Sequence, residues 1–161
     1  MNSAVSCSLL HWAGWMPGVA TLDEWRAWAT GDLPVAMTEE NPSVDFIPAM
    51  QRRRLSRLSR FALAAAQACA GDQTLPTVFA SRHGEIHRTV GLLKDLARQE
   101  PLSPMAFSLS VHNTASGLYS IASGNTAPGV SPAFNPNATL TVSATLPAAT
   151  EFGGARYSFA G

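Results

Sequence analysis

Few side chains in this 161-residue sequence could carry out covalent chemistry or bind a metal. The two cysteines, Cys7 and Cys69, belong to no Cys-x-x-Cys pair and lie near no histidine at metal-ligand spacing. His83 and His87 are four residues apart, but His83 precedes the helix predicted there and no third ligand is evident. The pattern therefore predicts a reduced, cytoplasmic protein with surface histidines, no metal and no cofactor.

A nucleophilic serine is the other chemistry that the residue types allow. A serine needs a base within reach, and His112 is the nearby candidate in sequence for Ser116 and Ser131. This interpretation stays open as an alternative to a chain without catalytic residues.

These residues lie in or beside the stretch Ser103–Pro128, which is rich in Ser, Asn and Gly and contains no Asp, Glu, Lys or Arg. The absence of charge extends over residues 101–150. A soluble monomer rarely leaves fifty residues uncharged, so this stretch is predicted to be core, interface or both. Within it, residues 113–124 are predicted to form a helix capped by Asn113.

Upstream, an apolar segment over residues 4–15 predicts a first strand. Thr21 followed by Glu24 is a capping box, and it predicts a helix over residues 22–30. Trp25 and Trp28 share one face of that helix. Core packing is the favoured interpretation of this face, with a ligand cage as the alternative.

The periodicity of residues 50–70 predicts one long helix that ends at Gly71. Its first half contains five cations, which oppose the helix dipole. The conflict indicates pairing with an acidic partner such as a carrier protein, or else a solvated face with internal ion pairs. The cations are Arg52, Arg53, Arg54, Arg57 and Arg60.

Residues 74–80 are predicted to form a short buried strand, followed by a Gly-containing turn and a helix over residues 85–99. Strand, turn and helix in this order indicate an α/β fold. The helix face expected to be buried comprises Ile86, Val90, Leu93 and Ala97. Residues 139–146 have a β-like pattern.

Composition excludes several classes of protein. The 11 basic and 11 acidic residues cancel, so no bulk charge indicates nucleic acid or a membrane as a partner. The N-terminus lacks the basic region of a signal peptide, and no run approaches the roughly 20 apolar residues of a membrane span.

Several motifs resemble a known family. They are RLSRFALAAA at residues 57–66, SRHGE at 81–85, SPM at 103–105 and FSLSVHN at 107–113. They are similar to the short β-ketoacyl synthase-like proteins of chain-length-factor type, which are encoded with bacterial aryl-polyene and related fatty-acid or polyketide pathways. The resemblance covers about residues 9–128.

The resemblance implies the N-terminal α/β half of a thiolase-like fold, with a mixed five-stranded sheet and flanking helices. We divide the chain accordingly into a synthase-like domain over residues 1–132 and an atypical or truncated tail over residues 133–161. The resemblance also implies a partner subunit. Condensing enzymes dimerise beside their nucleophile, and the helix that corresponds to the one predicted from Asn113 lies near that contact. The implied interface residues are Ser110, Val111, His112, Asn113, Ser116 and Gly117, and Arg53 and Arg57 are the candidate contacts for an acyl carrier protein.

The sequence departs from the family at the catalytic positions. In the family a nucleophilic cysteine would follow the turn over residues 124–128, but here residues 129–134 read GVSPAF, and no histidine follows His112. No catalytic residue is therefore predicted. The favoured function is a non-catalytic subunit that forms a heterodimer with an active ketosynthase. The alternatives are an acyltransferase with a non-cysteine nucleophile, and a degenerate fragment without activity.

Overall fold

The computed structural model describes residues 11–133, 140–143 and 156–159. The helices within these residues are α1 (Leu22–Thr30), α2 (Ala49–Arg52), α3 (Arg57–Ala70), α4 (Ile86–Ala97), α5 (Pro104–Ser108) and α6 (Thr114–Ser123). The strands are β1 (Thr77–Val78), β2 (Gly129–Val130), β3 (Leu140–Ser143) and β4 (Arg156–Phe159). The described part of the chain is thus mixed α/β, as the sequence predicts.

Strand β1 pairs with β2 in parallel, with Thr77 opposite Gly129. The strand predicted over residues 74–80 is therefore shorter than expected, and it is exposed at Val78 rather than buried. Pro76 has no N–H to donate, and the carbonyl of Leu75 accepts from the side chain of Asn125, so neither residue extends the ladder. Strands β3 and β4 form a separate antiparallel pair, which agrees with the β-like pattern at residues 139–146.

Most of the first predicted strand, at residues 4–10, lies outside the described residues. Residues 11–15 have no strand conformation. The chain turns instead at Pro17 and Gly18, where Met16 and Val19 exchange two backbone hydrogen bonds of 2.9 Å.

Helix α1 begins as predicted, with both hydrogen bonds of the Thr21–Glu24 capping box present. The prediction that its tryptophan face packs into the core is wrong. No residue of α1 is buried, and the Trp28 side chain is 42% exposed. The Trp25 ring contacts the rings of Trp28 and Trp12 rather than the core.

The long helix predicted over residues 50–70 is broken in two. The hydroxyl of Ser56 accepts the Ser59 N–H at 2.9 Å and caps the start of α3. Leu55 occupies the break and is buried. The break reduces the conflict with the helix dipole, because three of the five arginines precede α3, whereas Arg57 and Arg60 remain at its start. Gly71 ends α3 with φ of 55°, as predicted.

The core lies where α3 packs on α6. Leu63 of α3 and Tyr119 of α6 are almost fully buried, together with Val44 and Ile47 of the loop before α2. Helix α4 has the predicted position, but the prediction of its buried face is wrong: Ile86, Val90 and Leu93 are 42%, 40% and 58% exposed. Periodicity placed these side chains on one face, but the described residues cover that face only in part.

The uncharged stretch contains α5, a turn and α6. Helix α6 ends at Gly124, which has φ of 66°, as the sequence predicts. Asn113 occupies the N-cap position but makes no capping hydrogen bond with its side chain. The Thr114 hydroxyl instead donates to the carbonyl of Val111 at 2.8 Å and closes the turn before the helix.

Candidate functional site

The His112 side chain joins three segments of the chain. Its Nε2 lies 3.1 Å from the carbonyl oxygen of Pro132, which follows β2, and 3.5 Å from the Ser81 hydroxyl, which precedes α4. Its ring also lies against Gly84, which is buried and has φ of 53°. The turn before α6 is thus attached both to the end of β2 and to the loop that leads into α4.

The hydrogen bond to Pro132 decides which ring nitrogen of His112 carries the proton. A carbonyl oxygen only accepts, so Nε2 must be the protonated nitrogen and Nδ1 the unprotonated one in the neutral ring. Nε2 is therefore a donor and is not available as a base toward Ser81. The Ser81 hydroxyl oxygen already accepts the Gly84 N–H at 3.0 Å.

The candidate serine nucleophiles have other partners. The Ser131 hydroxyl donates to the Ser116 hydroxyl at 2.9 Å, and the Ser116 hydroxyl donates to the carbonyl of Asn113 at 3.0 Å. Both hydroxyl protons are therefore donated to acceptors other than His112. Among the described residues, the geometry gives neither serine a base, and this disfavours the acyltransferase alternative.

A second polar cluster surrounds Glu85, at the start of α4. Its buried carboxylate accepts hydrogen bonds of 2.6 Å from the hydroxyls of Ser56 and Ser59 and pairs with Arg88 Nε at 3.2 Å. A buried carboxylate with three donors is well satisfied. The cluster joins the N-terminal ends of α3 and α4 and so positions Gly84, which precedes Glu85.

An open depression of about 380 Å³ lies over this cluster. Four titratable side chains line it, namely Arg57, Glu85, His87 and Arg88. Arg57 is exposed, pairs with Glu39 at 3.0 Å and lies 5.3 Å from the Phe61 ring centroid. Arg53, the other candidate contact for a carrier protein, is exposed in the turn before α3.

The six residues of the implied interface lie together, in the turn before α6 and in its first turn. Val111, Asn113 and Gly117 are exposed, whereas Ser110, His112 and Ser116 are half-buried. A Cβ atom at Gly117 would meet no atom within 4 Å. Two further apolar side chains of the uncharged stretch are also exposed, Phe107 of α5 by 63% and Ile121 of α6 by 71%.

Sequence analysis did not find the partners of His112 or the burial of Glu85. Ser81, Gly84 and Glu85 belong to the SRHGE motif, but nothing in one sequence pairs that motif with His112 or with Ser56. Cys69 is exposed in the last turn of α3, as expected of a cysteine at a helix end. This is the opposite end from the helix N-terminus that activates a nucleophilic thiol.

The described residues contain no group of three or more His, Cys, Asp or Glu side chains arranged to bind a metal. Among the same residues, no helix has the length and apolar composition needed to span a membrane.

With this fold and site described, comparison with known proteins identifies the family. The model of the β-ketoacyl synthase N-terminal domain matches residues 25–149. The chain therefore belongs to the β-ketoacyl synthase family, and its fold is that of the N-terminal half of a thiolase-like synthase. The resemblance found in the sequence is confirmed, whereas the domain boundary at residue 132 stays a prediction.

A solved structure is also similar to the chain, namely a ketosynthase (ApeO) in complex with its chain length factor (ApeC) from Xenorhabdus doucetiae. The match has 32% sequence identity and a TM-score of 0.66, and it covers 78% of this chain. The chain spans only 54% of the length of the protein it matches. A search of curated proteins finds no significant match.

Proposed function

We propose that this chain is a non-catalytic subunit of chain-length-factor type, which pairs with an active ketosynthase in fatty-acid or polyketide (aryl-polyene) biosynthesis. The observation that carries the proposal is that the uncharged stretch has three exposed large apolar side chains, Phe107, Val111 and Ile121. Exposed apolar groups without neighbouring charges are typical of the central part of a protein interface. The similarity to a ketosynthase–chain length factor complex indicates the kind of partner.

The absence of a nucleophile at the expected position supports a non-catalytic role. In the family a cysteine would follow the turn after α6. This turn leads here into β2 and then into Ser131, Pro132 and Ala133. Ser131 and Ser116 form a hydrogen-bonded pair without a base, so a serine does not replace the missing thiol.

The proposed partners are a ketosynthase and, at the depression lined by Arg57 and Arg88, an acyl carrier protein. An open depression with two arginines beside it suits an acidic protein or a phosphate group. A cytoplasmic location is part of the same proposal, since these partners belong to a cytoplasmic pathway.

Co-expression with a candidate partner ketosynthase tests the proposal. We expect affinity purification and native mass spectrometry to give a one-to-one complex. Incubation of the complex with labelled malonyl or acyl carrier protein should leave this chain without a covalent adduct. An aggregated or homodimeric chain without the ketosynthase would favour a degenerate fragment, and an adduct on Ser116 or Ser131 would favour the acyltransferase.

A further inference from the structure

The guanidinium of Arg57 is engaged on three sides. Its Nη1 donates to Glu39 Oε2 at 3.0 Å, and its Nη2 donates to the carbonyl oxygen of Thr38 at 3.3 Å. Its Cζ lies 5.3 Å from the centroid of the Phe61 ring, about one turn further along α3. Two nitrogens and one face of the group are thus occupied, so part of its capacity to bind an anion is already used.

The loop that supplies these contacts is weakly attached elsewhere. Residues 37–41 are all exposed, between the half-buried Ala36 and the buried Pro42. Within the described part of the chain, the hydrogen bonds that join residues 37–41 to other segments all end on Arg57. Release of this loop from Arg57 would therefore break no other hydrogen bond between the loop and the rest of the described chain.

The charge of the loop is that of an acidic partner. Residues 37–41 read MTEEN, so they contain two carboxylates, Glu39 and Glu40, and no cation. The Glu39 side chain is 97% exposed and that of Arg57 is 42% exposed. An exposed ion pair contributes little free energy and is screened by salt. A carboxylate of another molecule can therefore replace Glu39 on Arg57.

We propose that residues 37–41 form an autoinhibitory clasp, in which Glu39 and Thr38 occupy the guanidinium that an acidic partner must reach. Because the clasp belongs to the same chain, it competes with a partner in solution at a high effective concentration. Binding then requires Arg57 to exchange Glu39 for a carboxylate of the partner, while Glu39 returns to solvent. The inference rests on the proposed function only for the identity of the partner as a carrier protein, since the competition concerns any acidic surface.

Chemical modification of arginine measures the clasp without a partner. Phenylglyoxal reacts with free guanidinium groups, and peptide mass spectrometry gives the rate at each arginine. In Glu39→Gln the rate at Arg57 should rise by about 2- to 5-fold, because the charge that holds the guanidinium is lost. Glu40→Gln is the matched control, since Glu40 is exposed in the same loop and makes no ion pair among the described residues. Equal rates at Arg57 in both variants would overturn the clasp.

Titration with polyglutamate at low salt tests the competition. Glu39→Gln should bind it with a Kd about 2- to 5-fold lower than Glu40→Gln, which has the same net charge, and the ratio should approach one at high salt. In chains that also carry Arg57→Gln, the difference should disappear. Equal Kd values for the two single variants, no binding of polyglutamate, or a difference that persists without Arg57 would overturn the proposal.

The same comparison with an acyl carrier protein separates this inference from the proposed function. We expect the carrier protein to bind Glu39→Gln more tightly than Glu40→Gln by the same factor. If it binds neither variant while the difference for polyglutamate remains, the clasp is supported and the carrier protein is excluded as the partner. If it binds both variants equally, the clasp does not inhibit.

Discussion

The imidazole of His112 lies so close to Gly84 that a Cβ atom there would be 2.7 Å from Nδ1 and 3.3 Å from the His112 Cα. Gly84 also has φ of 53°, a conformation that other residues adopt at a cost. The chain therefore needs glycine at this position for two separate reasons. The contact holds the loop before α4 against the turn before α6, where the proposed interface lies.

Substitution of Gly84 by alanine should destabilise the chain strongly. We expect a loss of about 2–5 kcal/mol in the free energy of unfolding, from the left-handed backbone and the overlap with His112 together. Gly91→Ala is the matched control, because it lies inside α4 and its new Cβ would meet no atom within 4 Å. This variant should be neutral or more stable by up to about 1 kcal/mol. Urea unfolding of both variants measures the difference, and equal stabilities would contradict the described contact.

Glu85 should contribute far more stability than an exposed carboxylate in a similar ion pair. Removing it leaves two serine hydroxyls and Arg88 without their acceptor, so Glu85→Ala should cost about 3–5 kcal/mol. Glu85→Gln should cost less, about 1–3 kcal/mol, because the amide oxygen still accepts hydrogen bonds. Glu39→Ala removes the 97% exposed partner of Arg57 and should change stability by less than about 0.5 kcal/mol. A similar loss in Glu39→Ala and Glu85→Ala, measured by chemical unfolding, would refute the buried cluster.

The start of α1 should weaken in acid. The Glu24 carboxylate accepts the backbone N–H groups of Ala20 and Thr21 at 2.9 and 2.8 Å, and these bonds lower the pKa of Glu24 from its ordinary value of 4.5. Because the pKa is lower in the folded chain, the stabilisation is complete above pH 4.5 and disappears as the pH falls through the lowered pKa. The difference in stability between the unaltered chain and Glu24→Gln should shrink over that range. A difference that does not change with pH would contradict the capping role of the carboxylate.

A charge placed in the first turn of α6 should weaken association with the proposed ketosynthase partner without unfolding the chain. Gly117 is exposed and has open space for a side chain, so Gly117→Lys should fold normally. Burial of the new ammonium group against an uncharged surface should weaken the complex by about 10-fold or more. Gly91→Lys is the control, since it is a helical glycine with similar open space outside the proposed interface. Pull-down yields that fall equally for both variants would contradict the proposed interface.

Reversal of charge at Arg53 and Arg57 should weaken binding of the proposed acyl carrier protein partner. We expect Arg53→Glu combined with Arg57→Glu to raise the Kd by about 10-fold at low salt, with a smaller effect at high salt. Arg98→Glu is the control, because Arg98 is exposed at the end of α4 and away from the depression. If the affinity does not change, the arginines form only a solvated face.

Local signals predicted much of the secondary structure. The capping box of Thr21 and Glu24 places the start of α1, and Gly71 and Gly124 end α3 and α6 because each adopts positive φ. These signals act over a few residues, so one sequence is enough to recognise them. The resemblance to the synthase family rested on motifs that the family comparison confirms.

The errors arose where long-range contacts decide the structure. Ser56 lies inside a continuous helical pattern, and although its capping bond to the Ser59 N–H is local, its hydroxyl also donates to Glu85, which is distant in sequence. Likewise, periodicity showed that Val90 and Leu93 share a face of α4, but whether a face is covered depends on the rest of the fold. The hydrogen bond between His112 and Pro132 could not be inferred either, because no local pattern relates these positions.

The pairing of β1 with β2 has a consequence for the order of folding. Asn125 reaches Leu75, fifty positions away, and His112 reaches Ser81, 31 positions away, so both contacts close long loops. The entropy lost in closing such loops must be recovered by contacts that form only afterwards. We therefore expect α3, α4 and α6 to form early and the β1–β2 ladder with its His112 contacts to form last. During synthesis this step must wait until Pro132 has left the ribosome, so the proposed ketosynthase partner would first meet a chain with helices already in place.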